Sequence, residues 1–189
     1  YQHVKEASSW RSCDAPPTLP FYLSMYTNIP LVIANDWATE GGDKTFSADG
    51  VLLMDAYVEL QRNPNKTLSQ LEDLASKHLG VSQVLWTGLD SETKQPFEGF
   101  PIDDLQSWNT ISTRNTTVYT SIGTGGHVDE YCRIVGRTSD NRLHLLLAQD
   151  KLGGLSYKRL ELTYYHLMRL YSELIVVTRM PMPQDVTLQ

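Results

Sequence analysis

The sequence predicts a mostly β protein, a sandwich or barrel with two short helices and long loops. Three observations support this. Apolar, β-prone runs recur along the chain, long polar stretches separate them, and clear helical patterning is confined to two segments. The chain has 189 residues and a net charge of -6. We therefore expect one domain with a sizeable core, and the charge argues against a nucleic-acid-binding surface.

The first strand signals lie in residues 1–62. Residues 19–26 and 31–34 are β-prone runs separated by a turn signal. Residues 39–50 are polar and rich in turn formers. Residues 51–60 begin as a continuous apolar run, as a fully buried strand allows.

The strongest helix prediction covers residues 67–79. Thr67 can cap its start and Gly80 can end it. Its apolar stripe consists of Leu68, Leu71, Ala75 and Leu79. Residues 87–126 show little periodicity, and so long a polar segment predicts an arm or extended loop rather than a second domain.

A second predicted helix runs directly into a strand. One helical face carries Leu160, Tyr164, Leu167, Tyr171 and Leu174. Residues 174–177 then form a fully apolar run. Ordinary α/β domains place Gly, Asn or Pro at such a junction, so an uninterrupted one indicates a specific architecture. Strands are also predicted at 131–135 and 143–148, and no internal repeat is visible.

Motifs for known chemistry are weak. The histidines are scattered, without the spacing of a metal site. Cys13 and Cys132 are expected to be reduced and structural. His127 and Asp129 could supply a base and its orienting acid, but no signature of a nucleophile accompanies them. We therefore expect no enzyme, no cofactor and no metal.

Two stretches, 129–146 and 156–179, resemble the front half of the largest capsid protein of picornaviruses, the jelly-roll subunit at the fivefold vertex. The resemblance is carried by a strand ending in Gly136-Arg137 and a helix start at Lys158-Arg159-Leu160-Glu161. A strand of the form Met-Arg-x-x-Ser-Glu-Leu follows at 168–174.

Residues 19–37 and 50–60 resemble the back half of the same jelly roll, in the wrong order. Two explanations compete: an uncleaved junction of two capsid proteins, or circular permutation. Residues 183–189 joined to 1–4 make a largely alternating strand, which favours permutation. The resemblance implies one eight-stranded antiparallel jelly-roll sandwich over 1–189, with back-half strands in 1–62, an arm and loops in 66–126, and front-half strands and a helix in 127–189.

The resemblance implies a structural capsid subunit of a non-enveloped icosahedral RNA virus, found in the virion and assembled in the host cytoplasm. Its partners would be copies of itself, sister capsid proteins, a host receptor and viral RNA on the inner face, and no membrane-spanning segment is expected. The alternative is a secreted or cell-surface β-sandwich binding module. Glycosylation patterns at Asn65 and Asn115 favour that alternative.

The same resemblance implies two kinds of binding site. A surface loop for a receptor or antibody would consist of Glu40, Gly41, Gly42, Asp43 and Lys44. A hydrophobic pocket for a fatty-acid-like ligand would be lined by Phe21, Met25, Tyr164, Met168 and Leu170. The simpler interpretation of the second group is that these side chains only fill the core.

Overall fold

The computed structural model describes residues 24–29, 36–39, 41–96, 127–154 and 156–182. The described residues form two three-stranded sheets, each in a module of strand–strand–helix–strand order. Module one contains β1 (Thr45–Phe46), β2 (Val51–Asp55), α1 (Ala56–Arg62), α2 (Leu68–Leu79) and β3 (Gln83–Thr87). Module two follows α3 (Val128–Tyr131) and contains β4 (Cys132–Arg137), β5 (Leu143–Gln149), α4 (Tyr157–Tyr171) and β6 (Ile175–Pro181).

Both sheets have the same pairing pattern. The first two strands of each module are antiparallel, and the second and third are parallel. A parallel pair needs a crossover connection, which α1 and α2 supply in module one and α4 supplies in module two. The protein is therefore mixed α/β, and the prediction of an antiparallel jelly-roll sandwich is wrong. The modules also form a structural repeat that is not visible in the sequence.

Helix α2 confirms the helix prediction. The Thr67 side chain accepts a hydrogen bond from Gln70 N, and the Gln70 side chain accepts one from Thr67 N, which makes a capping box. Gly80 ends the helix with φ of 69°, a left-handed conformation that favours glycine. This element was predictable because both of its caps and its apolar stripe are local.

Strand β2 is shorter than predicted because Asp55 begins a helix. Its side chain accepts hydrogen bonds from Tyr57 N (2.9 Å) and Val58 N (3.2 Å), so the chain turns into α1 at residue 56. Residues 51–55 are all buried, as predicted for a fully buried strand. The prediction that the strand continues to residue 60 is wrong.

The burial of β2 follows from its position between two cores. Its odd-numbered apolar residues, Val51 and Leu53, belong to a core shared by both modules. Other members of that core are Leu85, Val128, Leu143, Leu145, Leu147, Leu160, Leu167 and Ile175. The even-numbered residues, Leu52 and Met54, pack with Leu71, Ala75, Val81 and Trp86 in a second core formed mainly by module one. Side chains alternate along a strand, so β2 supplies both cores at once.

The predicted order of helix and then strand is confirmed, but residues 172–174 form a turn between them, so the junction is not direct. Helix α4 ends at Tyr171, and β6 begins at residue 175 after a turn without Gly, Asn or Pro. The Leu174 carbonyl accepts a hydrogen bond from Leu143 N at 2.8 Å, which sets β6 beside β5. Leu174 itself is 43% exposed, so it is not part of the buried helical stripe, whereas Ile175 is fully buried.

Other predicted elements differ from the structure. Residues 24–27 are helical, where a strand was predicted. The 66–126 segment, predicted to be an arm, contains α2 and β3, which pack in module one. Both chain ends lie outside the described residues, and so does the strand proposed to join them. Within the described residues, no helix is long and apolar enough to cross a membrane.

Gly88, directly after β3, tests the contact between the modules. A Cβ at Gly88 would lie 2.7 Å from Asp55 Oδ2 and 2.9 Å from Arg159 Nη2, two groups that form a buried ion pair. Gly80 has nearly the same φ (69° against 67°) and no atom within 4 Å of such a Cβ. We expect Gly88→Ala to lower the free energy of unfolding by about 1–3 kcal/mol more than Gly80→Ala. Urea unfolding measures this difference, and equal losses would contradict the close packing.

Candidate functional site

Two short loops meet at one end of module one. The Gly42 carbonyl accepts a hydrogen bond from Asp129 N at 3.1 Å, and the Asp43 carboxylate accepts one from Val128 N at 3.1 Å. These bonds hold residues 42–43 beside residues 127–129, although 85 positions separate Asp43 from Val128 in the sequence. The predicted surface loop and the predicted His127–Asp129 pair are thus one site.

Gly42 is the point at which the loops approach most closely. A Cβ at this position would lie 2.7 Å from His127 Nδ1 and 3.2 Å from Asp129 Oδ1. A side chain at residue 42 would therefore displace the imidazole and the carboxylate. Gly42 and Asp129 are half-buried, whereas His127 is buried.

The His127 ring also faces a guanidinium group. Arg62, at the end of α1, places Nη2 3.4 Å from His127 Nε2. An arginine can only donate hydrogen bonds, so Nε2 is the acceptor in this contact. His127 is thus held between a cation on one side and the Gly42 backbone on the other.

Asp43 is a fully buried carboxyl group that binds backbone amides. Besides Val128 N, it accepts a hydrogen bond from Asp55 N, 3.2 Å from Oδ1 and 3.3 Å from Oδ2. Burial is the main cause that raises the pKa of Asp43 well above its usual range. The nearby carboxylates of Asp55 and Glu59 raise the pKa further, and the Val128 amide and the Lys44 ammonium oppose the rise.

The Asp55 carboxylate joins the two modules beneath this site. Its Oδ2 accepts hydrogen bonds from Tyr131 OH at 2.7 Å, Arg159 Nη2 at 3.0 Å and Thr87 Oγ1 at 3.2 Å. Burial, followed by the charge of Asp55, raises the pKa of Tyr131 well above its usual value, so the phenol stays a hydrogen-bond donor. Tyr131 ends α3, and the contact therefore fixes the segment that begins at His127.

A second buried ion pair lies on α1. Glu59 accepts hydrogen bonds from Trp37 Nε1 at 2.8 Å and from Lys44 Nζ at 3.3 Å. The Lys44 ammonium also lies 5.3 Å from the centre of the Trp37 ring, and it contacts the Thr39 hydroxyl. This contact attaches the loop before β1 to helix α1.

The predicted receptor loop is therefore largely internal. Asp43 and Lys44 are buried, Gly42 is half-buried and Gly41 is exposed. Glu40 lies outside the described residues. A fully exposed binding loop is incompatible with the burial of Asp43 and Lys44, and the capsid resemblance that suggested a receptor does not agree with the fold.

The structure also separates the residues predicted to line a hydrophobic pocket. Tyr164 and Met168 pack against the shared core and line a shallow depression of about 700 Å³ along α4. Leu170 packs against the core of module one, and Met25 is 79% exposed. Phe21 lies outside the described residues. A fatty-acid-like ligand stays a prediction that no contact in the structure tests.

Sequence reasoning missed the partners that complete the site. Asp55 and Arg62 belong to no motif, and Arg159 was noticed only as part of a helix start in the capsid resemblance. Only Asp55 carries a local signal, a carboxylate ending an apolar run. Cys132 is free, as expected, and burial raises the pKa of its thiol to about 12. Across the described residues, no group of three or more His, Cys, Asp or Glu side chains could hold a metal ion.

Comparison with solved structures identifies the class of fold. A substrate-bound variant of the agmatine deiminase of C. jejuni matches 88% of the chain with a TM-score of 0.59 at 16% identity. The agmatine deiminase of Enterococcus faecalis matches 86% with a TM-score of 0.59, also at 16% identity. A further C. jejuni agmatine deiminase structure matches 87% with a TM-score of 0.58 at 14% identity. No family model matches the chain, and no curated protein does.

The chain thus shares a mixed α/β fold with these agmatine deiminase structures. It spans about 40% of the length of the solved structures that it matches. This finding overturns the resemblance to a picornavirus capsid protein, and with it the permuted jelly roll and the capsid function. The expectation of no enzyme is also overturned, because it rested on missing motifs and the solved structures that share this fold are described as agmatine deiminases.

Gly42 and Gly41 offer a matched pair of substitutions. A Cβ at Gly42 would collide with His127 and Asp129, whereas a Cβ at Gly41 meets nothing within 4 Å. We expect Gly42→Ala to destabilise the protein by about 1–3 kcal/mol and to shift the His127 ring resonances. Gly41→Ala should stay within about 0.5 kcal/mol of wild type. Chemical denaturation and histidine NMR measure both, and indistinguishable variants would contradict the packing at Gly42.

Asp43→Asn tests the ionisation of the buried carboxyl group. The pKa of Asp43 is raised in the folded protein above the value of about 3.9 in an unfolded chain. Between the unfolded and the folded pKa, the folded protein binds this proton more tightly than the unfolded chain does. Asp43 therefore makes wild type less stable as pH rises through that range. Asparagine does not titrate. We expect the stability of the variant relative to wild type to increase with pH in urea unfolding, and a constant difference would contradict the raised pKa.

Proposed function

We propose that the site formed by Gly42, His127 and Asp129 binds a guanidino group as part of a deiminase-type hydrolase. Guanidinium is a planar cation with five N–H donors and no acceptor. A site for it must therefore present acceptors, and anionic acceptors bind it most strongly. The Asp129 carboxylate and the nearby backbone carbonyls meet this requirement, and His127 Nε2 meets it where the ligand replaces the Arg62 guanidinium.

The observation that carries the proposal is the guanidinium of Arg62 against His127. It lies 3.4 Å from Nε2, in a site where Gly42 keeps the imidazole and the Asp129 carboxylate together. The imidazole thus already accepts the group that the proposed ligand would present. The shared fold with structures described as agmatine deiminases supports the same ligand class.

The reaction of this class replaces a nitrogen on the guanidinium carbon with oxygen. The oxygen of a water molecule bonds to that carbon, one C–N bond breaks, and ammonia leaves with the proton it needs. His127 is the group that can move this proton, since histidine serves as an acid and a base near neutral pH. Asp129 would hold the remaining N–H groups of the ligand.

The described residues supply binding and proton transfer rather than a thiol nucleophile. Cys132 is their free cysteine, and its side chain packs in the shared core with a pKa of about 12. A thiol so buried and so weakly acidic does not form the reactive thiolate. The proposed role of His127 and Asp129 does not depend on Cys132.

Agmatine binding to the full chain tests the first half of the proposal. We expect agmatine to shift the ring resonances of His127 in a saturable way, and Asp129→Asn to weaken binding by about tenfold, since a charged acceptor is lost. His144→Ala is the control, because His144 bonds Thr178 at the edge of module two. His127 resonances that do not change when agmatine is added to the wild-type protein would contradict the binding site.

Ammonium release from agmatine tests the second half. We expect release by the wild-type chain and its loss in His127→Ala, with His144→Ala again as the control. Binding without release would overturn the hydrolase activity of this chain and leave a guanidino-binding module.

A further inference from the structure

Asp43 lies next to the proposed site, buried against backbone amides. It is fully buried, and the hydrogen bonds it accepts from Val128 N and Asp55 N come from two different parts of the fold. Val128 lies between His127 and Asp129. Asp55 ends β2 and begins α1. One carboxylate therefore connects its own loop, the end of a core strand and the segment that carries both proposed ligand-binding residues.

The neighbouring backbone bond strengthens this connection. The Gly42 carbonyl accepts from Asp129 N at 3.1 Å, next to the bond from Val128 N to Asp43 Oδ1. Residues 42–43 thus hold the backbone on the C-terminal side of His127 at two successive amides. Gly42 is also the residue at which any Cβ would collide with the His127 ring and the Asp129 carboxylate.

Burying a carboxyl group here costs free energy of folding, which only its hydrogen bonds can offset. Asp55 and Glu59 lie close enough to oppose a third negative charge, and burial opposes it further. An apolar side chain would avoid both costs, but it would leave the buried amide of Val128 without this acceptor. The arrangement fits a residue retained for the geometry that it imposes.

We infer that Asp43 is a positioning residue, which holds His127 and Asp129 in the geometry that the proposed guanidino site requires. It acts through the amides of Val128 and Asp55, and it does not contact the ligand. Of its readouts, only agmatine binding rests on the proposed function, because the effect of Asp43 on His127 can be measured in the free protein.

Asp43→Ala and Asp43→Asn separate positioning from a loss of charge. Asparagine keeps a carbonyl oxygen that can accept from both amides, whereas alanine keeps none. We expect Asp43→Ala to shift the His127 ring resonances, to speed hydrogen exchange at Val128 N and to weaken agmatine binding about tenfold or more. Asp43→Asn should retain the His127 resonances, the protection of Val128 N and agmatine affinity within about threefold of wild type.

Asp140→Ala and Asp140→Asn are the controls, because Asp140 is an exposed residue that bonds Thr138 and Arg142. Wild-type resonances, exchange and affinity in Asp43→Ala would overturn the inference. Equal losses in both Asp43 variants would also overturn it, since charge rather than hydrogen-bond acceptance would then be what matters. If Asp43→Ala does not fold, Asp43→Asn alone decides the question. Fast hydrogen exchange at Val128 N and shifted His127 resonances in Asp43→Asn would then contradict the proposed contact.

The two proposals fail in different ways. A wild-type protein that does not respond to agmatine contradicts the guanidino site, yet the His127 resonances and Val128 exchange still decide the role of Asp43. Agmatine binding that is unchanged in Asp43→Ala leaves the guanidino site standing and removes the positioning residue.

Discussion

The buried ion pair between Asp55 and Arg159 is the interaction on which the arrangement of the two modules depends. Arg159 Nη2 lies 3.0 Å from Asp55 Oδ2, and both side chains are almost fully buried. Removing one partner of such a pair leaves an uncompensated charge in the core, which typically costs about 3–5 kcal/mol. The pair is also supported on both sides, because Asp55 caps α1 and Arg159 bonds Thr163 one turn along α4. Module two therefore cannot shift relative to module one without breaking the start of a helix.

The ion pair also explains where a site can form. Asp55 ends β2, and Thr87 ends β3, its parallel neighbour, with Gly88 directly after it. Loops that follow parallel strands gather at one edge of a sheet, and ligands of open α/β sheets commonly bind there. Asp43 is bonded to the Asp55 amide at this edge, and Tyr131 bonds the Asp55 carboxylate. The loop before β1 and the segment from His127 to Tyr131 are thus both fixed by the same residue.

Local signals in the sequence predicted what local interactions determine. Helix α2 has both caps and its apolar stripe within fourteen residues, from Thr67 to Gly80. The strand after α4 was predictable because an apolar run begins where the apolar face of the helix ends. The parallel pairing of β2 with β3 has no such signal, because it joins residues about thirty positions apart through two helices. The capsid resemblance failed for the same reason. It matched single elements, whereas the fold is defined by how the elements pair.

The candidate site shows the same limit at the level of chemistry. His127 and Asp129 were recognisable as an acid–base pair, and residues 40–44 as a loop, but their contact depends on Gly42 and on a hydrogen bond spanning 85 positions. Rejecting the pair for want of a nucleophile assumed that every group of a site lies in one recognisable motif. Sites are defined by geometry instead, and a shared fold alone does not establish an activity. Asp43, Asp55 and Glu59 are buried in one region of the fold next to this site. Three buried carboxyl groups there lower stability unless cations and amides compensate them. Lys44, Arg159 and the amides of Val128 and Asp55 provide that compensation.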